Sequence, residues 1–274
     1  MTRRIAFVNE KGGSCKTTLT VNVGAYFALT QRKKVLIVDM DPQGQVGKSL
    51  GIDVRTMDKS IYNVLANPDL DPSEMILSSR IPGLDLIISN KTLADFPLII
   101  ANSEDRHVRL KSKIDTIQGY DYILFDSPPS LGLITLNILL AVQEIVIPVS
   151  LTYFALDGCA EILDTVHQIR TNFHYDALEV SLVVPTLYRN TRMANAVLEK
   201  LKEHMGGKIS KAILGYNVKI DEAQSHGLTI WEYSPGSSGA QTLAEVAEEI
   251  ASVGAPREQA LNKMERPTLL TAFS

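Results

Sequence analysis

Near its start the chain changes hydrophobic rhythm twice within a few residues. Ile5-Ala6-Phe7-Val8-Asn9 is a mostly apolar run of the length of a buried strand. Glu10-Lys11-Gly12-Gly13-Ser14-Cys15-Lys16-Thr17-Thr18 is polar and holds adjacent glycines, and residues 19–29 have helical spacing. Strand, glycine turn and helix in this order let backbone N–H groups turn inward beside a helix N-terminus, a cradle for phosphate. In that reading Gly12, Gly13, Ser14, Cys15 and Thr18 form the cradle, Lys16 reaches the outer phosphates, and the Thr17 hydroxyl is a ligand for Mg2+.

Two positions depart from the common phosphate loop. Lys11 stands where its first glycine would be. A lysine there cannot easily reach the phosphates of its own loop, so its economical use is in trans, across a dimer. Cys15 stands where a glycine usually precedes the lysine. It reads as a redox-sensitive thiol or as a tolerated small residue, and the second is preferred.

The rest of the chain supplies a frame for this loop. Strand candidates at 5–9, 35–39, 84–89, 122–126, 145–149 and 180–185 alternate with helical patterns. That alternation predicts an α/β fold, a mainly parallel twisted sheet with helices on both faces. Residues 131–151 are the most apolar stretch, but Asn137, Gln143, Glu144 and Pro148 interrupt it, so it reads as a buried helix and strand rather than a membrane span. With no repeat or linker, residues 1–253 read as one ATPase-type domain. Gly254 and Pro256 break the last helical rhythm, leaving residues 254–274 as a C-terminal extension.

Carboxylates end two of these strands. Asp39-Met40-Asp41-Pro42-Gln43 closes one and Asp126-Ser127-Pro128-Pro129 another. In a doubly wound sheet ligands sit at the carboxyl ends of strands, so these acids converge on the phosphate loop. Asp126 is the expected holder of Mg2+, and Asp41 is placed to orient an attacking water. Asp39 or Asp41 has a plain alternative, capping the next helix, which suits Asp39 better than Asp41.

These motifs, with Pro148-Val149-Ser150-Leu151-Thr152-Tyr153-Phe154-Ala155-Leu156-Asp157-Gly158, residues 217–227 and Glu232-Tyr233-Ser234-Pro235, resemble the ParA/Soj/MinD class of deviant-Walker ATPases, and its ParA/Soj branch in particular, over roughly residues 3–252. The resemblance implies a P-loop NTPase with a deviant Walker A loop that uses ATP and Mg2+ and forms an ATP-sandwich homodimer. Lys11 would contact the partner's phosphates, Asp41 would be the hydrolytic aspartate, and Asn217 would contact adenine. It further implies non-specific DNA binding, hydrolysis stimulated by a ParB-like partner, a cytoplasmic, nucleoid-associated location, and transport of a chromosome, plasmid or other cargo. With no N-terminal helix-turn-helix before the first strand, autorepression through an operator-binding domain is not expected.

The formal charge of −4 gives no global sign of nucleic-acid binding, so a local patch must supply it. From residue 189 to residue 219 there are seven Lys/Arg against two Glu. Arg189 and Lys219 fall where the resembling family has basic residues, and Arg192 lies beside them. Lys200, Lys202 and Lys208 read equally well as a solvated helix. Gly215-Tyr216 replaces the family's proline and arginine, which removes one charge.

Three rivals remain. A MinD-like membrane-associated ATPase would end in a basic amphipathic helix, whereas residues 265–274 hold Pro267 and little basic face, so no membrane partner is expected. An iron–sulfur reductase needs two cysteines per subunit for its cluster, and none closely follows Asp126. An orphan ParA-like positioner of a protein cargo would share the whole mechanism. Cys15 and Cys159, the only cysteines, fit a reducing cytoplasm, and a start that runs straight into a strand leaves no room for a secretory signal. Cys159 reads as core, Trp231 and Tyr233 as a C-terminal strand or core, and the histidines show no metal spacing.

Overall fold

A computed structural model describes residues 2–253. The expected extension at 254–274 lies outside the described residues. Among the described residues, eight strands form one sheet: β1 Arg3–Phe7, β2 Val35–Asp39, β3 Leu77–Ser78, β4 Leu84–Ile87, β5 Tyr122–Asp126, β6 Glu144–Ser150, β7 Glu179–Tyr188 and β8 Leu214–Gly215. Their spatial order is β3-β4-β2-β5-β1-β6-β7-β8. Every pairing is parallel except that of β3 with β4.

The helices are α1 Lys16–Leu29, α2 Gln45–Ser49, α3 Ile61–Ala66, α4 Phe96–Ile99, α5 Arg109–Ile114, α6 Leu133–Ala141, α7 Ala155–Asn172, α8 Arg192–Met205, α9 Val218–Ser225, α10 Ile230–Tyr233 and α11 Ser238–Val253. Strand side chains alternate between faces. Ile5, Phe7, Ile37 and Leu124 therefore pack with α1 and α11, while Ala6, Val8, Leu36, Val38 and Phe125 pack with α6 and α7. Both faces are covered, which is why the central strands read as continuous apolar runs.

The register places the site. Phe7 and Asp39 each pair with Asp126, so β1, β2 and β5 end side by side at one rim of the sheet. The loops that follow them carry the phosphate loop, Asp41 and the turn after Asp126. The ends of the strands differ from the reading above. β1 begins two residues early because Arg3 enters the ladder with its guanidinium on Glu144, at 2.7 and 2.8 Å, and on the Ile250 and Ala251 carbonyls. β4 stops at Ile87 rather than Ser89, where the backbone abuts the Asp41 loop: a Cβ on Gly44 would lie 2.7 Å from the Ser89 carbonyl oxygen. Trp231 and Tyr233 lie in the short helix α10, not in a strand, and the Trp231 indole donates to the Asn22 carbonyl at 2.8 Å. Cys159 is buried on α7, as read.

One contact locks the loop after α2 to the end of α9. Gly51 (φ +75) and Gly227 (φ +67) meet backbone to backbone, and a Cβ on Gly227 would lie 2.6 Å from Gly51 Cα. The Arg80 guanidinium bridges the carbonyls of Leu50 (2.5 Å) and Gly227 (2.6 Å) and the Glu232 carboxylate (2.6 and 2.9 Å). Gly227→Ala adds overpacking to an unfavourable left-handed φ and is expected to destabilise the fold by about 2–4 kcal/mol in urea titrations. Gly236→Ala is the control, since nothing lies within 4 Å of its Cβ position.

Candidate nucleotide site

Asn9, just past β1, sets the course of the loop. Its Nδ2 donates to the Pro148 carbonyl at 2.6 Å, and its Oδ1 accepts the Lys11 N–H at 2.8 Å. The chain then turns through Gly13 (φ +72) and Cys15 (φ 70), the residue before α1. Nothing lies within 4 Å of a Cβ placed on Gly12 or Gly13, so the loop is open where backbone N–H groups receive an anion. The Ser14 hydroxyl is buried in the loop without a hydrogen-bond partner. A buried orphan donor here fits a phosphate oxygen as its missing acceptor. Sequence reasoning missed Asn9, although its place between strand and glycine turn was visible.

Lys16 is buried, with Nζ donating to the Lys11 carbonyl at 3.3 Å. Burial lowers its pKa, and the nearby Asp126 and Asp41 oppose that shift. The Thr17 hydroxyl donates to Asp126 Oδ2 at 2.6 Å, and the Thr20 hydroxyl lies 3.3 Å from Oδ1. Asp126 is fully buried, and desolvation raises its pKa against these hydrogen bonds and Lys16. Hydroxyl and carboxylate oxygens at a phosphate loop are the donors that Mg2+ takes with phosphate and water. No group of three or more His, Cys, Asp or Glu suited to a metal occurs among the described residues.

The two aspartates after β2 take different parts. Asp39 is fully buried, accepting the N–H groups of Asp41 (3.0 Å) and Val46 (3.1 Å). It follows the capping alternative, holding the loop and the first turn of α2. Burial, with Asp126 next, raises its pKa well above the usual range. Asp41 accepts the Gln43 N–H through Oδ1 at 2.9 Å and is 9% exposed, facing the Lys16 and Asp126 charges.

Lys11 stands at the exposed rim with Nζ donating to the Thr152 hydroxyl at 2.7 Å. Its neighbour Glu10 shares a hydrogen bond with Glu161, which with burial and like charge pushes the Glu10 carboxyl up to about 7. Asn217 caps α9: Oδ1 accepts the Lys219 N–H at 3.0 Å, and Nδ2 donates to Ser238 at 3.2 Å. The same helix reaches the phosphate loop through Gln224, whose Nε2 donates to the Thr18 hydroxyl at 2.9 Å. Gln224 lies within the 217–227 segment, and sequence reasoning missed its part.

The basic residues lie past the ends of β7 and β8. The Arg189 guanidinium sits 5.2 Å from the Tyr216 ring centroid, so the aromatic that replaces an expected charge holds the neighbouring one. Arg192 opens α8 after the Thr191 cap. Lys219 pairs with Glu222 at 2.8 Å, which offsets its charge. Lys202 pairs with Glu199, and burial lowers the pKa of Lys208, in keeping with a packed and solvated helix end.

Burial pushes the Cys15 thiol up to about 11 and Cys159 to about 12. A thiol so raised is almost wholly protonated near neutrality and a poor nucleophile. Under native conditions at pH 8, iodoacetamide is expected to leave both cysteines unmodified while labelling them in urea. Rapid native labelling of Cys15 would revive the redox reading.

The family model described as an AAA domain matches residues 2–180. The chain is 37% identical over 255 residues to the sporulation initiation inhibitor protein Soj of Bacillus subtilis, covering 93% of this chain and 100% of that protein. It is 35% identical to the chromosome-partitioning ATPase Soj of Treponema pallidum, covering 92% and 98% respectively. Among solved structures, cobyrinic acid a,c-diamide synthase from Mycobacterium smegmatis, with bound ADP and magnesium, superposes with a TM-score of 0.78 at 28% identity, covering 92% of this chain and 94% of that one.

Proposed function

The chain belongs to the ParA/MinD family of ATPases, and from that membership we propose that it is a ParA-like positioning ATPase that works as an ATP-dependent sandwich dimer. The dimer binds DNA without sequence preference, and a ParB-like partner stimulates hydrolysis. Residues 1–253 form the ATPase unit, and the cargo is a chromosome, a plasmid or another large body. The observation that carries this reading is the shared rim of β1, β2 and β5, which gathers the phosphate loop, Asp41 and Asp126. The Soj relatives, and the ADP and magnesium in the Mycobacterium smegmatis structure, support it.

Each residue then has a definite task. Gly12, Gly13, Ser14, Cys15 and Thr18 line the cradle, and Lys16 holds the outer phosphates. Thr17 and Asp126 hold magnesium, which when bound neutralises charge on the β- and γ-phosphates. Asp41 orients the attacking water. Lys11 leaves Thr152 and neutralises phosphate held by the partner subunit, so nucleotide state controls pairing. Asn217, at the head of α9, lies against the base. No helix among the described residues is long and apolar enough to cross a membrane.

Gel filtration and DNA retention, each with ADP and with a non-hydrolysable ATP analogue, test this reading together. A dimer that retains DNA only with the analogue is expected. A monomer in both states, or equal retention in both, contradicts it. Arg189 and Arg192 carry most of the DNA contact, because Glu222 offsets Lys219. Arg189→Glu is expected to weaken retention by about tenfold or more at physiological salt, with a shallower salt dependence and unchanged basal ATPase.

A further inference from the structure

The turn between β6 and α7 spends two large aromatic side chains on solvent. Thr152 N–H donates to the Ser150 carbonyl at 2.7 Å and Ala155 N–H to the Thr152 carbonyl at 3.0 Å, so the turn is tight. It hides Leu151, Ala155 and Leu156 yet leaves Tyr153 70% and Phe154 66% exposed. The two rings pack edge to face, 5.1 Å between centroids. Adjacent exposed aromatics that a tight turn could have buried mark a contact surface. This turn also carries Thr152, whose hydroxyl accepts the Lys11 ammonium at 2.7 Å. The aromatic pair and the lysine that is to cross between subunits therefore share one rim.

We propose that Tyr153 and Phe154 are the apolar centre of the contact between two copies of this chain. The inference rests on the sandwich reading above and deepens it. In a two-fold contact the same patch serves both copies, so an axis beside Lys11 brings each aromatic pair against the other subunit. The areas explain why pairing depends on nucleotide. Two aromatic side chains of roughly 150–250 Å² each, about two-thirds exposed, offer roughly 200–330 Å² per copy, against about 800 Å² per partner in a stable interface. The rings give the contact a dry centre but cannot hold it alone. The phosphate-loop rim and the crossed Lys11 must supply the remainder, and they do so only when phosphate is present.

The test is sedimentation velocity of the full chain with Mg2+ and a non-hydrolysable ATP analogue, alongside binding of a fluorescent ATP analogue at concentrations where the protein is monomeric. The variants are Tyr153→Ser/Phe154→Ser and Lys11→Ala. The double aromatic variant is expected to raise the dimer dissociation constant by about tenfold or more. Its melting temperature and monomer nucleotide affinity should stay those of the unsubstituted chain. Equal dimerisation of the two proteins, with Lys11→Ala monomeric, overturns this inference and leaves the sandwich reading standing. Loss of monomer nucleotide affinity overturns it in favour of a ligand contact, and unchanged dimerisation with lost response to a stimulating protein overturns it in favour of a partner contact. If the unsubstituted chain stays monomeric with the analogue, both readings fall.

Discussion

Asp41→Ala is expected to lower ATP turnover by about 10²–10⁴-fold, the range for removing a group that positions or activates a nucleophile, with nucleotide binding retained. The loop after β2 is built to hold this carboxylate. Asp39 pins its backbone through two buried hydrogen bonds, the Gln43 N–H fixes Asp41 Oδ1, and Gly44 lets the chain pass close under Ser89. The cradle, Lys16 and Thr17 come from another loop, so affinity survives. A single-turnover assay with a filter-binding control separates the two effects. If hydrolysis stops while binding persists, the variant accumulates as a long-lived ATP dimer. Unchanged turnover would remove Asp41 from its role.

The second large effect falls on assembly. Lys11→Ala keeps Lys16 and the cradle, so it is expected to bind ATP. On the proposed dimer it would leave the partner's triphosphate without a neutralising cation at a desolvated interface, an expected loss of about 2–5 kcal/mol, or roughly 30- to 4,000-fold in dimer dissociation. Analytical ultracentrifugation with a non-hydrolysable analogue reads this directly. Dimerisation equal to that of the unsubstituted chain would show that Lys11 acts within its own subunit. In the present structure the ammonium is held by Thr152 at the rim, a contact that must break before the lysine can cross.

Much of this site could be read in the sequence because its parts are local. The strand, the adjacent glycines and the helix lie within one short segment, and Asp126 directly ends an apolar run. A parallel sheet then aligns the strand ends, so residues remote in sequence meet without any pairwise signal. What stayed hidden depends on tertiary packing. β3 and β8 are two-residue edge strands, too short for a period. Several short helices occupy residues 45–117, where no single rhythm lasts long enough to register. Asn9, Gln224 and Thr152 act through hydrogen bonds to distant segments, which composition and spacing do not encode. The different parts of Asp39 and Asp41 follow from which backbone N–H groups the fold places beside each: Asp39 takes those of Asp41 and Val46, and Asp41 that of Gln43. Cys15 adopts the left-handed backbone that glycine takes easily, which accounts for glycine being the common residue there, and partial burial raises its thiol pKa to about 11, which favours the tolerated-residue reading.

The most direct test of the account is an experimental structure of the Asp41→Ala protein with ATP and Mg2+. The account predicts a two-fold dimer in which Lys11 Nζ has left Thr152 and lies within hydrogen-bonding distance, about 2.7–3.2 Å, of a phosphate oxygen held by the other subunit. A monomer with intact triphosphate, or a dimer in which Lys11 still bonds Thr152 or its own subunit's phosphates, would contradict it.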